Sequence, residues 1–250
     1  MSSQSAIKIE NLGKIYTGYQ GFLKKKRVLA LKKVNLEIKK GEIFGLLGLN
    51  AAGKTTILKI LLGFIRPSWG KFKILGESTL TTGIRKKLGY LPEEPRIYEF
   101  LSAEEFLIFC GRLFGLNKKD IICRTNKLLE LVKISSAAKK KIKEFSKGMS
   151  QRLSIASTLI NDPEILLMDE PLSGLDPLGR KIVKEIVLNL KKRGKTVFFS
   201  SHILAEVEQI SDRIGILHQG ELLCVEEVKF ILANFPSLEE FFLTKIGINP

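Results

Sequence analysis

The residues with the clearest chemistry form a short loop between an apolar stretch and a predicted helix. The loop is Gly48-Leu49-Asn50-Ala51-Ala52-Gly53-Lys54-Thr55, which fits the pattern GxxxxGK[ST]. Its backbone N–H groups and the start of the helix would form a concave site for an anion. Gly48 and Gly53 allow backbone conformations that a side chain would obstruct. Lys54 would bring a positive charge to the β- and γ-phosphates of a nucleotide, and the Thr55 hydroxyl would reach Mg²⁺.

The elements on either side of this loop favour the phosphate-binding interpretation over the alternative, an ordinary glycine-rich turn. Residues 43–47 are apolar throughout, as expected for a strand that is covered on both faces. Residues 55–62 have the apolar spacing of a helix, which ends before the turn at residues 66–70. A strand, a loop and a helix in this order are the context that the pattern requires.

A pair of acids supplies the second half of the predicted chemistry. Asp169 and Glu170 follow the apolar residues 165–168, so both would lie at the carboxyl end of a buried strand, where ligands of open α/β sheets bind. We expect Asp169 to hold Mg²⁺ through water and Glu170 to polarise the attacking water. The alternative is an ordinary buried strand that ends in a capping acid pair. Together the loop and the acid pair predict nucleotide hydrolysis.

The surrounding elements alternate between strands and helices, with one interruption. Residues 7–9 and 34–38 alternate apolar and polar side chains, which predicts half-buried strands. Residues 102–159 have a helical period throughout; Ser102 and Glu105 form a capping box, and a third helix begins near Ser146. Strand–helix alternation then resumes, and Ser237 and Glu240 cap a short closing helix whose phenylalanines are expected to dock. A helical insert therefore interrupts a mostly parallel α/β core.

The composition is that of an ordinary globular protein with an excess of positive charge. Of 250 residues, 44% are hydrophobic and 27% charged, and the formal net charge is +15. This balance favours an anionic partner, whether a nucleotide, a nucleic acid or a lipid, although a solvated basic surface is the plainer interpretation. Residues 14–33 contain seven basic side chains and no acidic one.

The cysteines and the apolar runs indicate the cellular compartment in which the protein is expected. Cys110, Cys123 and Cys224 lack metal-ligand spacing, so we expect reduced core thiols in a cytosolic protein. The polar residues 1–5 do not resemble a signal peptide, and no apolar run reaches the ~18–20 residues that cross a bilayer. Any membrane role is therefore expected to be indirect.

Five further stretches closely resemble, in order and spacing, motifs of the ATP-binding cassette (ABC) family. They are similar to its adenine-stacking aromatic residue, Q-loop, signature loop (LSGGQ), D-loop and switch histidine, and in this sequence they are Tyr16, Gly89-Tyr90-Leu91-Pro92-Glu93, Phe145-Ser146-Lys147-Gly148-Met149-Ser150-Gln151, Ser173-Gly174-Leu175-Asp176-Pro177 and Ser200-Ser201-His202. A strand is predicted before Tyr16 and a loop after it.

The resemblance covers nearly the whole chain and implies its fold. We expect an α/β protein with a P-loop NTPase (RecA-like) core and a mostly parallel sheet, an N-terminal antiparallel β subdomain and an inserted α-helical subdomain. Residues 1–250 would form a single ABC ATPase domain. Residues 1–94 and 160–233 would make the β subdomain and the core, residues 95–159 the helical signature subdomain, and residues 234–250 a C-terminal helical tail.

The resemblance also implies a site shared between two chains. Two MgATP would be sandwiched head-to-tail in a dimer with a second ATPase subunit, each site being completed by the partner. The implied catalytic residues are Glu170, His202 and Lys54, and the metal-binding residues are Thr55, Asp169 and Glu93. The implied ATP-binding residues are Tyr16, Gly48, Asn50, Gly53, Lys54, Thr55, Thr56, Glu93, Ser146, Gly148 and Asp176.

Several positions depart from the family pattern. Leu49 and Ala51 stand where Pro and Gly are usual, and Ala51 could strain the loop. Lys147 and Met149 replace Gly and Gln in the signature loop, and Lys147 could add charge to the phosphate site. Glu93 replaces the usual Gln, the nucleotide sensor of the family, and would change the charge beside Mg²⁺.

The resemblance further favours a transporter subunit of the drug or polysaccharide exporter type. Residues 194–199 and 237–242 and the Glu93 form of the Q-loop are similar to that branch. A separate transmembrane permease would dock near Tyr98, Phe100 and residues 102–114, for which plain core packing is the alternative. The protein would then be peripheral on the cytoplasmic face of the membrane. The other hypothesis is a cassette ATPase acting on nucleic acid or the ribosome, but no direct nucleic-acid partner is expected. The transported substrate cannot be predicted.

Overall fold

A computed structural model describes residues 5–20 and 24–248 of the chain. The start of the chain, on which the signal-peptide expectation rests, lies largely outside these residues, as do residues 21–23 of the basic stretch and residues 249–250. Within the described segments, no helix is both long enough and apolar enough to span a bilayer.

A three-stranded antiparallel sheet forms the amino-terminal part, in the order β2-β1-β4. Its strands are β1 (Ser5–Gln20), β2 (Lys24–Lys39) and β4 (Trp69–Ile74). The predicted alternation is confirmed, because Ile7 and Ile9 are buried while Lys8 between them is exposed. Strand β4 pairs with β1 only as far as Gly13, so the rest of β1 and β2 continues as a two-stranded ribbon.

The loop predicted after Tyr16 is wrong. Strand β1 runs on to Gln20, and Tyr16 lies opposite Val28 within the ribbon. The residues after Tyr16 are polar or small, and glycines at positions 18 and 21 are typical of loops, so the local sequence does not indicate a strand. Pairing with β2 overrides that local preference.

A six-stranded sheet forms the core, in the order β5-β6-β7-β3-β8-β9. Neighbouring strands are parallel except β8 and β9, which are antiparallel. The strands are β3 (Ile43–Leu47), β5 (Leu88–Leu91), β6 (Ile165–Asp169), β7 (Thr196–Ser201), β8 (Arg213–His218) and β9 (Glu221–Glu227). Because β3, β6 and β7 are neighbours, their carboxyl ends meet at one edge of the sheet, as the phosphate loop and the acid pair require.

The two faces of the parallel sheet are both covered, which explains the continuous apolar runs. On β3, Phe44 and Leu46 point into a core shared with the antiparallel sheet, whereas Ile43 and Leu47 point into the core on the opposite face. Phe44 packs edge-on against Phe198 of β7, with ring centroids 5.8 Å apart.

The helices lie between and beside these strands. They are α1 (Lys54–Leu61), α2 (Thr82–Lys86), α3 (Ala103–Leu113), α4 (Lys118–Leu131), α5 (Lys147–Leu159), α6 (Pro177–Lys192), α7 (Leu204–Ile210), α8 (Val228–Asn234) and α9 (Leu238–Lys245). Helices α3, α4 and α5 follow one another between β5 and β6, where the helical insert is predicted. The capping box at the start of α3 is confirmed, with both the Ser102 and the Glu105 bonds present. The proposed domain boundaries stay predictions.

The closing helix docks as predicted. Phe241 and Phe242 are only 2% and 5% exposed, and the Phe241 ring packs against Phe235 with centroids 4.9 Å apart. The Ser237 hydroxyl caps α9 by accepting a hydrogen bond from the Glu240 N–H.

The expectation of three core thiols is wrong in part. All three thiols are free, but Cys123 is exposed, while Cys110 and Cys224 are half-buried. Burial raises the pKa of the Cys110 thiol to about 11. The helical period placed Cys123 in an apolar run, yet α4 turns it away from the core, next to the exposed Ile122.

Candidate nucleotide-binding site

The phosphate loop joins β3 to α1 and has the backbone geometry expected of it. Gly53 has φ 111°, which L side chains rarely adopt, and it occupies the N-cap of α1. A methyl group on Gly48 would lie 2.4 Å from the carbonyl oxygen of Leu217, so a side chain there is excluded by space. Ala51 has φ 63°, and the strain predicted at this position is therefore present.

Lys54 is buried beneath the loop and holds it together. Its Nζ donates to the carbonyl oxygens of Gly48 at 2.7 Å and Leu49 at 3.3 Å. The same ammonium forms an ion pair of 3.3 Å with Oε1 of Glu170. Lys54 thus connects the end of β3 with the end of β6, two strands away in the sheet.

The acid pair at the end of β6 is anchored by Ser200 of β7. The Ser200 hydroxyl donates to Oδ1 of Asp169 at 2.5 Å and accepts the Glu170 N–H at 3.1 Å. Asp169 and Ser200 are direct partners in the parallel register. The sequence alone did not indicate this role for Ser200, although the residue lies in the stretch that resembles the switch histidine motif.

His202 completes the group around Glu170. Its Nδ1 lies 2.9 Å from Oε2 of Glu170, and its backbone N–H donates to the same oxygen at 3.3 Å. Each carboxylate oxygen of Glu170 therefore has its own cationic or polar partner, Lys54 on Oε1 and His202 on Oε2. A carboxylate fixed in this way can orient a water molecule without first reorganising.

A cavity of about 420 Å³ opens above the phosphate loop. This volume lies within the usual range for ligand sites. It is lined by Tyr16, Ala30, Asn50, Ala51, Ala52, Gly53, Lys54, Thr55, Thr56, Glu93 and Glu170. Of these, Ala30 was missed by the sequence analysis, because it comes beside the loop through the tertiary approach of β2 to Gly53. The Tyr16 hydroxyl lies 3.4 Å from Oγ1 of Thr56.

The Q-loop begins beside the acid pair, because Leu91 of β5 pairs with Met168 of β6. Burial raises the pKa of Tyr90 to about 12, and the negative charges of Asp169 and Glu93 contribute to the shift. Glu93 also lines the phosphate-loop cavity.

The donors in this region suit Mg²⁺. Hard oxygen ligands are what this ion prefers, and it is commonly bound through one or two carboxylates together with substrate phosphates. Thr55 offers a hydroxyl, and Asp169 and Glu93 offer carboxylates. Among the described residues, no cluster of three or more His, Cys, Asp or Glu side chains could hold a metal ion by itself. A site that is completed by phosphate oxygens is consistent with that finding.

Three of the predicted ATP-binding residues, Ser146, Gly148 and Asp176, lie elsewhere in the chain. They line a separate cavity of about 300 Å³. Ser146 caps α5 by accepting the Met149 N–H at 3.3 Å, and Asp176 caps α6 by accepting the Gly179 N–H at 2.9 Å. A single chain does not bring these residues to the phosphate loop.

Sequence comparisons identify relatives of this chain. The profile of the ABC transporter family matches residues 31–173. An ABC transporter ATP-binding protein of Synechocystis is 49% identical over 225 residues, 89% of this chain and 63% of that protein. The bacitracin transport ATP-binding protein of Bacillus licheniformis is 42% identical over 200 residues, 79% of this chain and 64% of that protein. The chain therefore spans less than two thirds of either relative.

Another relative matches over nearly its full length. The lantibiotic transport ATP-binding protein of Streptococcus pyogenes is 38% identical over 240 residues, 96% of this chain and 97% of that protein. Among solved structures, the ATP-binding subunit of an ABC transporter has a TM-score of 0.82 at 29% identity, covering 96% of this chain and 99% of that one. A dimeric ATP-binding cassette in a post-hydrolysis state, bound to ADP and Pi, has a TM-score of 0.79 at 26% identity, covering 89% and 98%. These comparisons confirm the resemblance and the α/β fold.

Proposed function

Because the chain belongs to the ABC transporter family, we propose that it is the ATP-hydrolysing subunit of a transporter whose membrane-spanning permease is a separate protein. The observation that carries this proposal is the position of Glu170. It lies beside the phosphate loop with Lys54 on one carboxylate oxygen and His202 on the other. A carboxylate in this place is suited to orient water for attack on a terminal phosphate.

The chain's own residues divide the work of binding and hydrolysis. The adenine ring would lie against Tyr16, and the triphosphate would lie in the loop between Asn50 and Thr56. Lys54 would then face the β- and γ-phosphates, and Glu170 would receive the proton of the attacking water. His202 holds Glu170 in place. Mg²⁺, held by Thr55, Asp169 and Glu93, would neutralise charge on the phosphates.

We further propose that two copies form a head-to-tail dimer around two ATP molecules. Ser146, Gly148 and Asp176 face a cavity of their own, so a second chain is needed to bring such a group to a phosphate loop. The dimeric cassette bound to ADP and Pi, which shares this fold, supports that arrangement. The positive end of α5, beneath Ser146, suits an incoming phosphate.

The permease is proposed to dock in an apolar groove between α3 and the core. The groove has a volume of about 400 Å³ and includes Phe64, Tyr90, Leu113 and Phe114. Phe64 is 60% and Leu113 71% exposed, and both line the same groove, so they form part of a contiguous apolar surface of the kind that marks protein interfaces.

Of the residues that the sequence analysis assigned to docking, Leu113 and Phe114 line this groove, whereas Tyr98 and Phe100 lie just before α3 and are not among its lining residues. Tyr98 and Phe100 are 49% and 69% exposed, which argues against plain core packing. Tyr98 packs edge-on against Phe109 of α3, with ring centroids 5.5 Å apart. Bound in this way, the protein would be peripheral on the cytoplasmic face of the membrane.

We propose that the transporter exports its substrate and that this substrate is a peptide or a drug. Two relatives are named for transport of bacitracin and of lantibiotics, and the sequence resembles the exporter branch. None of the relatives compared above is named for an action on nucleic acid or the ribosome, so the transport hypothesis is preferred.

The first test is Glu170→Gln, which keeps the shape of the side chain and removes its basicity. We expect MgATP binding to persist, a stable dimer to form, and hydrolysis to fall by about 10²–10⁴-fold. Phosphate release and sedimentation velocity measure the two effects. Wild-type turnover in this variant would show that Glu170 is not the base. As a control, Lys54→Ala should lose nucleotide affinity instead.

A further inference from the structure

The side chain of Lys147 occupies a position that the family pattern, with glycine there, leaves empty. Lys147 is the first residue of α5, directly after the capping Ser146. Its Nζ lies over the D-loop, so that a methyl group placed on Gly174 would be 2.3 Å from it. Gly174 also has φ 68°, so both space and backbone conformation favour glycine there. The signature loop and the D-loop of one chain therefore meet at this ammonium group.

Within the part of the chain that the structure describes, the charge of Lys147 is not neutralised. The side chain is exposed, and among residues 5–20 and 24–248 no carboxylate forms an ion pair with it. The carboxylates that share a neighbouring cavity with it are Glu93 and Glu94. Asp176, in the cavity on its other side, is engaged in capping α6.

The cavity that contains Ser146 and Asp176 has a second cationic side chain, but its hydrogen bonds are already made within the chain. Arg152 donates through Nε to the Gly148 carbonyl at 3.3 Å and through Nη1 to those of Val132 and Lys133 at 3.0 and 3.1 Å. Its guanidinium thus ties α5 to the end of α4. Among the described residues that line this cavity, Lys147 is therefore the cation left available to a ligand.

We propose that Lys147 binds the terminal phosphate of the ATP held by the second copy of the chain, as an additional cation acting across the dimer. This inference rests on the proposed head-to-tail dimer and concerns a lysine at a position where the family pattern has glycine. An ammonium beside the positive end of a helix adds a charge-assisted hydrogen bond to a phosphate oxygen. Lys147 would therefore strengthen ATP-driven dimerisation and make it more sensitive to salt.

The experiment compares dimerisation of four proteins, all in the Glu170→Gln background so that ATP stays intact. They are the parent, Lys147→Gln, Lys147→Arg and the control Lys143→Gln, which removes an exposed charge four residues earlier. Sedimentation velocity with MgATP, at several protein and NaCl concentrations, gives the dimer dissociation constant.

We expect Lys147→Gln to raise this constant about tenfold for each of the two sites. Its dependence on NaCl should also become shallower, because one screened attraction is lost. Lys147→Arg should restore most of the affinity, and Lys143→Gln should match the parent. Equal constants and equal salt dependence for Lys147→Gln and Lys143→Gln would overturn the inference while leaving the dimer intact. A parent that stays monomeric with MgATP would overturn the dimer and this inference together.

A mixing experiment decides whether Lys147 acts on its own or on the partner's ATP. In one mixture, Lys54→Ala chains are combined with chains carrying Lys147→Gln and Glu170→Gln. In the other, chains carrying Lys54→Ala and Lys147→Gln are combined with Glu170→Gln chains. Only the chains with an intact Lys54 hold ATP, and in the first mixture they face a normal Lys147. Action across the dimer predicts tighter association in the first mixture, and the opposite order would contradict it.

Discussion

At the scale of single residues, the site depends on a few side chains that each bind two other groups. Lys54 binds the loop carbonyls and Glu170, and Ser200 binds Asp169 and the Glu170 N–H. Such shared contacts hold the acid pair in one conformation before any ligand arrives. Pre-positioning of this kind is a large part of what a hydrolytic site contributes to rate.

Ser200→Ala tests this dependence. The substitution leaves Oδ1 of Asp169 without its buried donor, which should lower the free energy of unfolding by about 1–3 kcal/mol. We also expect kcat to fall about tenfold or more as the acid pair loses its orientation, with a smaller change in KM. Urea unfolding and steady-state phosphate release measure the two effects. Ser201→Ala is the matched control, since its hydroxyl accepts a hydrogen bond from the Ile203 N–H and does not contact the acid pair. Equal kinetics for the two variants would contradict the role of Ser200.

At the scale of elements, strand order explains why residues distant in sequence form one site. Strand β7 lies between β6 and β3, so the acid pair, the Ser200 hydroxyl and the phosphate loop emerge from three adjacent strand ends. The end of helix α3 lies away from this site. Its last residue, Leu113, and the following Phe114 line the groove where the permease is proposed to dock.

The capping box of α3 should stabilise the helix measurably. The Ser102 hydroxyl accepts the Glu105 N–H at 3.2 Å, and the Glu105 carboxylate accepts the Ser102 N–H at 2.7 Å. Ser102→Ala is expected to lower the free energy of unfolding by about 1 kcal/mol. Ser135→Ala, at an exposed position, serves as the control in the same urea titration. No difference between the two variants would show that the cap is dispensable.

Much of the core could be predicted because each strand carries its own signal. The apolar runs at residues 43–47 and 165–168 indicate strands covered on both faces, and the chemistry of Lys54, Asp169 and Glu170 follows directly after them. Ala30 and Ser200 could not be assigned to the site in this way. The position of Ser200 depends on the pairing of β7 with β6 and β3, and that of Ala30 on the approach of β2 to Gly53. Contacts between segments this far apart leave no local periodicity. The extension of β1 beyond Tyr16 was missed for a different reason, because its pairing with β2 is local but its glycine-containing residues do not show the alternation of a strand.

At the scale of the whole molecule, the surface combines a basic ribbon with an apolar groove. The ribbon formed by the ends of β1 and β2 carries much of the positive stretch at residues 14–33, and Lys26 and Arg27 on it are exposed. The groove beside α3 is lined largely by apolar side chains, and the exposure of Phe64 and Leu113 is the reason to expect a protein partner there.

Leu113→Ser tests the groove. Because Leu113 is 71% exposed, the change should alter the free energy of unfolding by no more than about 0.5 kcal/mol. Association with membranes that contain the permease should nevertheless drop, since the contact loses apolar area. Co-sedimentation with membrane vesicles from the source cell measures this loss. Ile122→Ser, an exposed position on α4 outside the groove, is the control. Equal retention of both variants on membranes would place the docking surface elsewhere.

The ion pair between Lys54 and Glu170 has a consequence for the resting enzyme. The cation that restrains the base is also the one that the phosphates attract most directly. In the proposed site, an incoming triphosphate would therefore compete with Glu170 for Lys54 and would release Oε1 of the carboxylate, while His202 keeps hold of Oε2. The proposed base would thus stay bound to Lys54 until a nucleotide arrives, so that loading the loop and releasing the base would be a single event within one chain.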